Sequence, residues 1–121
     1  MRYLLLFLCF ATIATAQTTP GIRDNDALLS KADLAAALSG NVVRFYDGGA
    51  ASFSTDGRYA YKYDSGEQVW SGVYQIGAAS EVCVEFDNGF SRCDVYVEDG
   101  NRLILITDKG DRFPVKSVEA E

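Results

Sequence analysis

From residue 41 onward, short runs of alternating apolar and polar residues are separated by glycine-bearing turns. The turns recur about every 9–12 residues, which is the interval expected of an all-β meander. Because such turns are short, sequential strands must pair antiparallel. The predicted strands are roughly 41–46, 50–55, 58–64, 67–76, 80–86, 90–98, 101–107 and 112–118. The fold is therefore predicted to be mainly β, an eight-stranded antiparallel up-and-down meander curled into a barrel or half-barrel, with a two-sheet arrangement as the alternative.

One short helix is predicted before the strands, between Ser30 and Gly40. Ser30 is a suitable N-cap, and Asp33 three residues later completes a pair resembling a capping box. Leu34 and Leu38 lie four residues apart and so share one face. The run 103–106 is apolar at every position, which indicates a strand covered on both faces, and the helix is the expected cover for the second face.

The run 81–93 is predicted to be a β-hairpin stapled by a disulfide between Cys83 and Cys93. A two-residue turn at Asn88-Gly89 would leave the two cysteines out of register. A three-residue loop over 87–89, with Gly89 in the left-handed conformation, places them opposite each other on a non-hydrogen-bonded pair. Their Cα atoms should then lie about 4.5–5.5 Å apart, within disulfide reach. Two free buried thiols are the alternative.

This register creates a conflict between the faces of the hairpin. It places Val84 opposite Arg92 and Val82 opposite Asp94, although the valines favour the core. Either a bulge turns part of the second strand over, or one core face holds Arg92 and Asp94. In the second case the two charged residues are i, i+2 neighbours and are able to pair.

Residues 1–16 have the pattern of a secretory signal peptide, with Arg2 before a short apolar core and a small-x-small cleavage site at 14–16. A lipoprotein anchored through Cys9 is the weaker alternative. The expected organisation is a signal at 1–16, a flexible leader at 17–27 and a single domain of helix and β-meander at 28–121. Cleavage leaves two cysteines, an even number that favours pairing in a periplasmic or secreted protein.

The formal net charge is −6 and becomes −7 when Arg2 is removed with the signal. An acidic chain of this kind argues against a nucleic-acid partner and against anionic membranes, and no second apolar segment would insert into a bilayer. It suits a cationic partner, although solubility alone explains such a charge. A monomer is expected.

The chemistry of the chain argues against an enzyme. It contains no histidine, which removes the commonest general base and the commonest zinc ligand. No glycine-rich phosphate loop is present, and the acidic residues do not follow the spacing of a calcium loop. We therefore expect no catalytic residues, no cofactor and no metal.

Aromatic residues on the predicted strands are the best candidates for a binding surface. Tyrosine and tryptophan offer rigid contact area with a polar end, although strands also favour them for ordinary packing. Charged groups facing a barrel interior would orient a polar ligand. The candidate ligand-binding residues are Tyr59, Tyr61, Tyr63, Trp70, Tyr74, Arg92, Asp94 and Tyr96.

Three short motifs carry a resemblance: the sequence 38–41 (Leu-Ser-Gly-Asn), the sequence 72–74 (Gly-Val-Tyr), and the cysteine pair. With these motifs the chain resembles a loose group of small exported bacterial proteins of unknown function. The resemblance implies export and a helix followed by a β-meander. The architecture is also similar to lipocalin-like and avidin-like barrels and to small periplasmic lysozyme inhibitors.

Two functions are compatible with these patterns. The first is an exported, non-enzymatic module that binds a small or oligomeric ligand at an aromatic concave face. The second is an acidic module that binds a protein partner or inhibits a cationic enzyme of the envelope or medium, such as a lysozyme.

Overall fold

The computed structural model describes residues 19–64, 66 and 68–121, so the predicted signal peptide and Cys9 lie outside the described residues. The elements in chain order are β1 (Ala27–Leu28), α1 (Lys31–Leu38), β2 (Asn41–Phe45), β3 (Ala50–Phe53), β4 (Arg58–Lys62), β5 (Val69–Ile76), β6 (Glu81–Phe86), β7 (Ser91–Asp99), β8 (Arg102–Ile106) and β9 (Arg112–Ala120).

Strands β2 to β9 form a closed antiparallel barrel. Each strand pairs with the next, and β9 returns to pair with β2, with Asn41 opposite Ala120 and Val43 opposite Val118. The predicted eight-stranded meander is confirmed, and it closes into a barrel rather than a half-barrel or two sheets. The two-residue strand β1, which was not predicted, joins β7 with Leu28 opposite Val97.

Two local features help the sheet to curl. The register of β9 shifts opposite Arg44 and Phe45, which marks a bulge or irregularity in the strand pairing. At Gly72, in the middle of β5, a Cβ atom would collide with the carbonyl oxygen of Glu85 on β6. A glycine is required there because the two backbones approach each other closely.

The predicted helix is confirmed as α1. The Oγ of Ser30 accepts a hydrogen bond of 3.1 Å from the N–H of Asp33, and the N–H of Ser39 bonds to the carbonyl of Ala35 at the other end. Leu34 and Leu38 are fully buried in the same cluster as the barrel interior. The helix therefore covers one end of the barrel.

The segment that covers the outer face of β7 and β8 differs from the prediction. Val95, Val97, Ile104 and Ile106 form a second apolar cluster, and the residue packed against it is Ile22 of the N-terminal segment. The prediction that the helix covers this face was wrong, because the leucines of α1 are already used inside the barrel.

Residues 17–27 were predicted to be a flexible leader. In the structure, the segment 19–29 is attached to the barrel at two points. Arg112 of β9 forms an ion pair with Asp26 at 2.6 Å and donates a second hydrogen bond to the carbonyl of Gly21. Fully buried Ser80 exchanges hydrogen bonds through its Oγ with the N–H and the carbonyl of Leu29. The N-terminal segment is thus fixed over the β7–β8 face.

The hairpin of β6 and β7 has the predicted register. Cys83 lies opposite Cys93 and Val84 opposite Arg92. The loop is the three-residue type, since the N–H of Phe86 bonds to the carbonyl of Phe90 and Gly89 has a φ of 92°. The two Sγ atoms are bonded at 2.01 Å, and the Cα atoms are 4.0 Å apart, closer than expected.

Candidate functional site at the barrel mouth

The turns β2–β3, β4–β5, β6–β7 and β8–β9 lie at the same end of the barrel, because successive turns of a meander alternate between its two ends. We call this end the mouth. Below it the interior is packed: the ring of Phe53 makes edge-to-face contacts with Tyr59 and Tyr96 at centroid distances of 5.2 and 6.5 Å. The described interior leaves a void of only about 20 Å³. A ligand that entered the barrel would therefore have room at the mouth and not in the packed interior.

An open cavity of about 350 Å³ occupies the mouth. Its walls combine aromatic rings with carboxylates from the turns. The residues that line this mouth cavity are Phe45, Asp47, Tyr61, Tyr63, Arg92, Asp94, Leu105, Thr107, Asp108, Lys109, Asp111 and Phe113.

Arg92 and Asp94 lie on the inner face of β7, which settles the conflict between the faces of the hairpin. Both are in the interior-facing register with buried Tyr96, while Val95 and Val97 face outward. The Nε of Arg92 donates a hydrogen bond of 2.8 Å to the Oδ2 of Asp94, and the Nη2 lies 2.6 Å from the same oxygen in an ion pair. No strand bulge was needed, because the charged pair satisfies itself on the inner face and borders the mouth cavity.

The environment of this pair shifts both pKa values upward. Burial raises the pKa of Asp94, and the nearby Arg92 offsets only part of that effect. Burial on its own would lower the pKa of Arg92, but the charge of Asp94 and its hydrogen bond outweigh it and raise the pKa. The side chain of Asp94 is 12% exposed and that of Arg92 is 47% exposed, so the guanidinium is the more accessible partner.

A second, more apolar groove of about 240 Å³ adjoins the mouth cavity and shares Tyr61, Tyr63 and Arg92 with it. Its aromatic walls come from β4, β5 and the hairpin of β6 and β7. The residues that line this aromatic groove are Tyr59, Tyr61, Tyr63, Trp70, Phe86, Asn88, Phe90 and Arg92. The two spaces therefore adjoin at one tyrosine pair.

Tyr61 and Tyr63 form the corner between the two spaces. Their ring centroids are 4.9 Å apart and their planes meet at 74°. The hydroxyl of Tyr61 lies so close to Gly49 that a side chain at position 49 would displace it. Burial raises the pKa of the Tyr61 phenol, and the charge of nearby Asp47 raises it further. The ring of Tyr61 is thus held beside the carboxylate of Asp47.

The candidate residues from the sequence separate into four places. Tyr61, Tyr63, Arg92 and Asp94 line the mouth cavity, and Tyr59 and Trp70 line the aromatic groove. Tyr96 is buried beside the small interior void. Tyr74 points toward the other end, where its hydroxyl donates to the carbonyl of Ser54 at 2.7 Å. Six of the eight therefore surround the mouth, and two lie away from both spaces.

Several residues of the mouth were not identified from the sequence. They are Phe45, Asp47, Phe86, Phe90, Asp108, Lys109, Asp111 and Phe113, together with other turn residues. The available signal was the alternation of the turns, since 46–49, 87–90 and 107–111 must share one end of an up-and-down meander. Aromatic and acidic residues flanking those turns were therefore the ones to select.

One cluster of potential metal ligands is present among the described residues. Glu81, Cys83 and Cys93 bring three potential ligand atoms within 4.8 Å of one another, but the two sulfur atoms are bonded to each other. Within residues 19–121, excluding 65 and 67, no helix has the length and apolar character needed to cross a bilayer.

Comparison of the chain with protein-family models, with curated proteins and with solved structures finds no match. The functional argument therefore depends on the geometry of the mouth.

Proposed function

We propose that the protein is an exported, non-enzymatic binding module that takes a small or oligomeric ligand at the barrel mouth. The observation that carries the proposal is the pair of adjoining open spaces that share Tyr61, Tyr63 and Arg92 above a packed interior. Ligand sites in proteins combine apolar walls with a few convergent polar groups, and this arrangement has both. The Cys83–Cys93 disulfide is compatible with the oxidising compartment that export implies.

The absence of histidine from the sequence supports binding rather than catalysis. At the mouth, Arg92 and Asp94 form an ion pair with each other. An arginine and an aspartate that pair with each other would orient a bound polar group. Because the aspartate is held in the ion pair, it is not a free general base.

Native mass spectrometry of protein purified from its own envelope tests this function. The expected result is a retained ligand that is lost in Tyr63→Ala, because Tyr63 borders both spaces. Tyr46→Ala is the matched control, since Tyr46 is 70% exposed and lines neither space. A ligand retained equally by both variants, or no ligand at all, would contradict the proposal.

A second candidate is an acidic module that binds a cationic protein, such as a lysozyme. The mouth cavity supports it, because four aspartates and only two cationic residues line this opening. Binding should weaken in Asp108→Asn/Asp111→Asn and with added salt. Asp24→Asn/Glu85→Gln removes the same charge from exposed positions away from the cavity and should leave binding intact. Equal loss in both double variants would indicate a general charge effect and argue against a specific interface.

A further inference from the structure

Among the lining residues of the mouth cavity that are not already paired, acidic side chains outnumber basic ones. Arg92 is paired with Asp94 through a hydrogen bond of 2.8 Å and an ion-pair contact of 2.6 Å. That leaves Asp47, Asp108 and Asp111 against Lys109 among the lining residues. None of these three carboxylates forms an ion pair within the described part of the chain. The cavity therefore has an excess of negative charge that its own side chains do not neutralise.

Aromatic rings line the same cavity as these carboxylates. Tyr61 and Tyr63 pack edge to face, with ring centroids 4.9 Å apart and planes at 74°, and both residues line the cavity. A cation within about 6 Å of an aromatic face is attracted by the ring, and corners of this kind favour ammonium groups. Phe45 and Phe113 supply further ring surface in the same cavity.

We infer that the mouth binds a small organic ammonium ion, with the charged nitrogen at the corner formed by Tyr61 and Tyr63 and an apolar body in the aromatic groove. This inference rests on the proposed ligand-binding function and names the chemical class of the ligand. The carboxylates of Asp47, Asp108 and Asp111 supply the counter-charge, and Trp70 and Phe90 line the groove that receives the body.

An anionic ligand fits less well. Its strongest partner would be Arg92, whose guanidinium already forms an ion pair with Asp94. It would also lie among three carboxylates, with Lys109 as the only unpaired cation of the described lining. Burial raises the pKa of Asp94, and the negative charge of nearby Asp108 raises it further.

Three probes with one scaffold and different charge test the inference: 2-phenylethylamine, 2-phenylethanol and phenylacetate. Titrations are followed by NMR shifts of the Tyr61 and Tyr63 rings. The amine should bind at least about 10-fold more tightly than the alcohol, and phenylacetate should bind most weakly. Added salt should reduce the advantage of the amine, because the carboxylates are partly exposed to solvent.

Matched variants assign the selectivity to the mouth. Asp108→Asn/Asp111→Asn should reduce the affinity for the amine toward that for the alcohol, while affinity for the alcohol stays constant. Asp24→Asn/Glu85→Gln should leave the preference unchanged. The amide NMR spectrum of each variant reports that it is folded.

Equal or tighter binding of the alcohol or phenylacetate at the mouth would overturn the inference, as would the absence of amine binding at millimolar concentration. These outcomes are distinguishable from failure of the proposed function. A ligand retained by native protein and lost in Tyr63→Ala would still establish a binding site, but for a different chemical class.

Discussion

The ion pair between Asp26 and Arg112 is the most buried one among the described residues. Its side chains are 1% and 11% exposed, and Arg112 donates to both carboxylate oxygens of Asp26. The hydrogen bonds from Arg112 lower the pKa of Asp26, and burial opposes them only in part. This pair joins the N-terminal segment to β9, so its energy contributes to the attachment of that segment.

Replacement of Asp26 by asparagine should lower the free energy of unfolding by about 3 kcal/mol at neutral pH, because it leaves a buried guanidinium without its charge partner. The pKa of Asp26 is lower in the folded state than in the unfolded state, so its contribution is present above about pH 4 and is lost as the pH falls through the folded pKa. Urea unfolding at several pH values should therefore show the wild type and Asp26→Asn converging in acid.

The control for this experiment is Asp24→Asn, since Asp24 is exposed and makes no ion pair with a described residue. A deficit in Asp26→Asn that stays constant from pH 7 to pH 2 would contradict the role of the charge. Sequence reasoning found the Arg92–Asp94 pair because a strand register places neighbours on one face. It did not find Asp26–Arg112, because 86 residues separate the two and any of 17 acidic residues might have paired with Arg112.

At the scale of elements, the β6–β7 hairpin forms one border of the aromatic groove and is held by the disulfide. Cys83→Ser/Cys93→Ser should reduce the free energy of unfolding by about 3 kcal/mol, because the unfolded chain regains the freedom of a short closed loop. Equilibrium unfolding in urea gives this value. A reducing agent should reproduce the loss in the wild type and have no effect on the variant; an equal response of both would rule out the disulfide as the cause.

Strand β5 depends on a glycine for its close approach to β6. In Gly72→Ala the new methyl would collide with the carbonyl oxygen of Glu85. We therefore expect the free energy of unfolding to fall by about 1–3 kcal/mol or more, which is the usual cost of overpacking. Gly77→Ala is the control, because the nearest atoms to a Cβ there are 3.9 Å away. Similar urea midpoints for the two variants would show that the β5–β6 contact is not as close as described.

The strand positions were predictable because each glycine-bearing turn is a local signal that fixes the pairing of its two neighbours. Strand β1 was not predictable, since two residues carry no periodicity and its partner Val97 is distant in sequence. The cover over Val95 and Ile104 was assigned to the helix because Ile22 lies in a polar segment without a pattern.

At the scale of the whole molecule, closure of the barrel and the set of residues at its mouth depend on contacts between residues that are far apart in the sequence. The turns specify seven of the eight strand contacts in the barrel, but the contact of β2 with β9 joins Val42 to Glu119 and no local pattern encodes it. The sequence therefore left the choice between a barrel and a half-barrel open. For the same reason the strand tyrosines of the mouth were predictable from the sequence, whereas Asp108 of the β8–β9 turn and Phe113 of β9, which lie far from them along the chain, were not.

Closure predicts a specific pattern of amide hydrogen exchange. Alternate amides of a strand point to opposite edges, and the bond from the Phe45 N–H to the Gly49 carbonyl directs the N–H of Val43 toward β3. The N–H groups of Val42 and Arg44 then point toward β9, across the closing contact. All three amides should be strongly protected in exchange measured by NMR.

In an open sheet, amides at an unpaired strand edge would exchange rapidly. One amide of β7 serves as the reference for such an edge. The pairing of β7 with β8 runs only from Val95 to Asp99, so the N–H of Cys93 faces an edge with no strand partner among the described residues. Cys93 should exchange rapidly, while Arg92 and Asp94, directed toward β6, exchange slowly. If Val42 and Arg44 exchanged as fast as Cys93 while Val43 remained protected, the barrel would be open between β2 and β9 in solution.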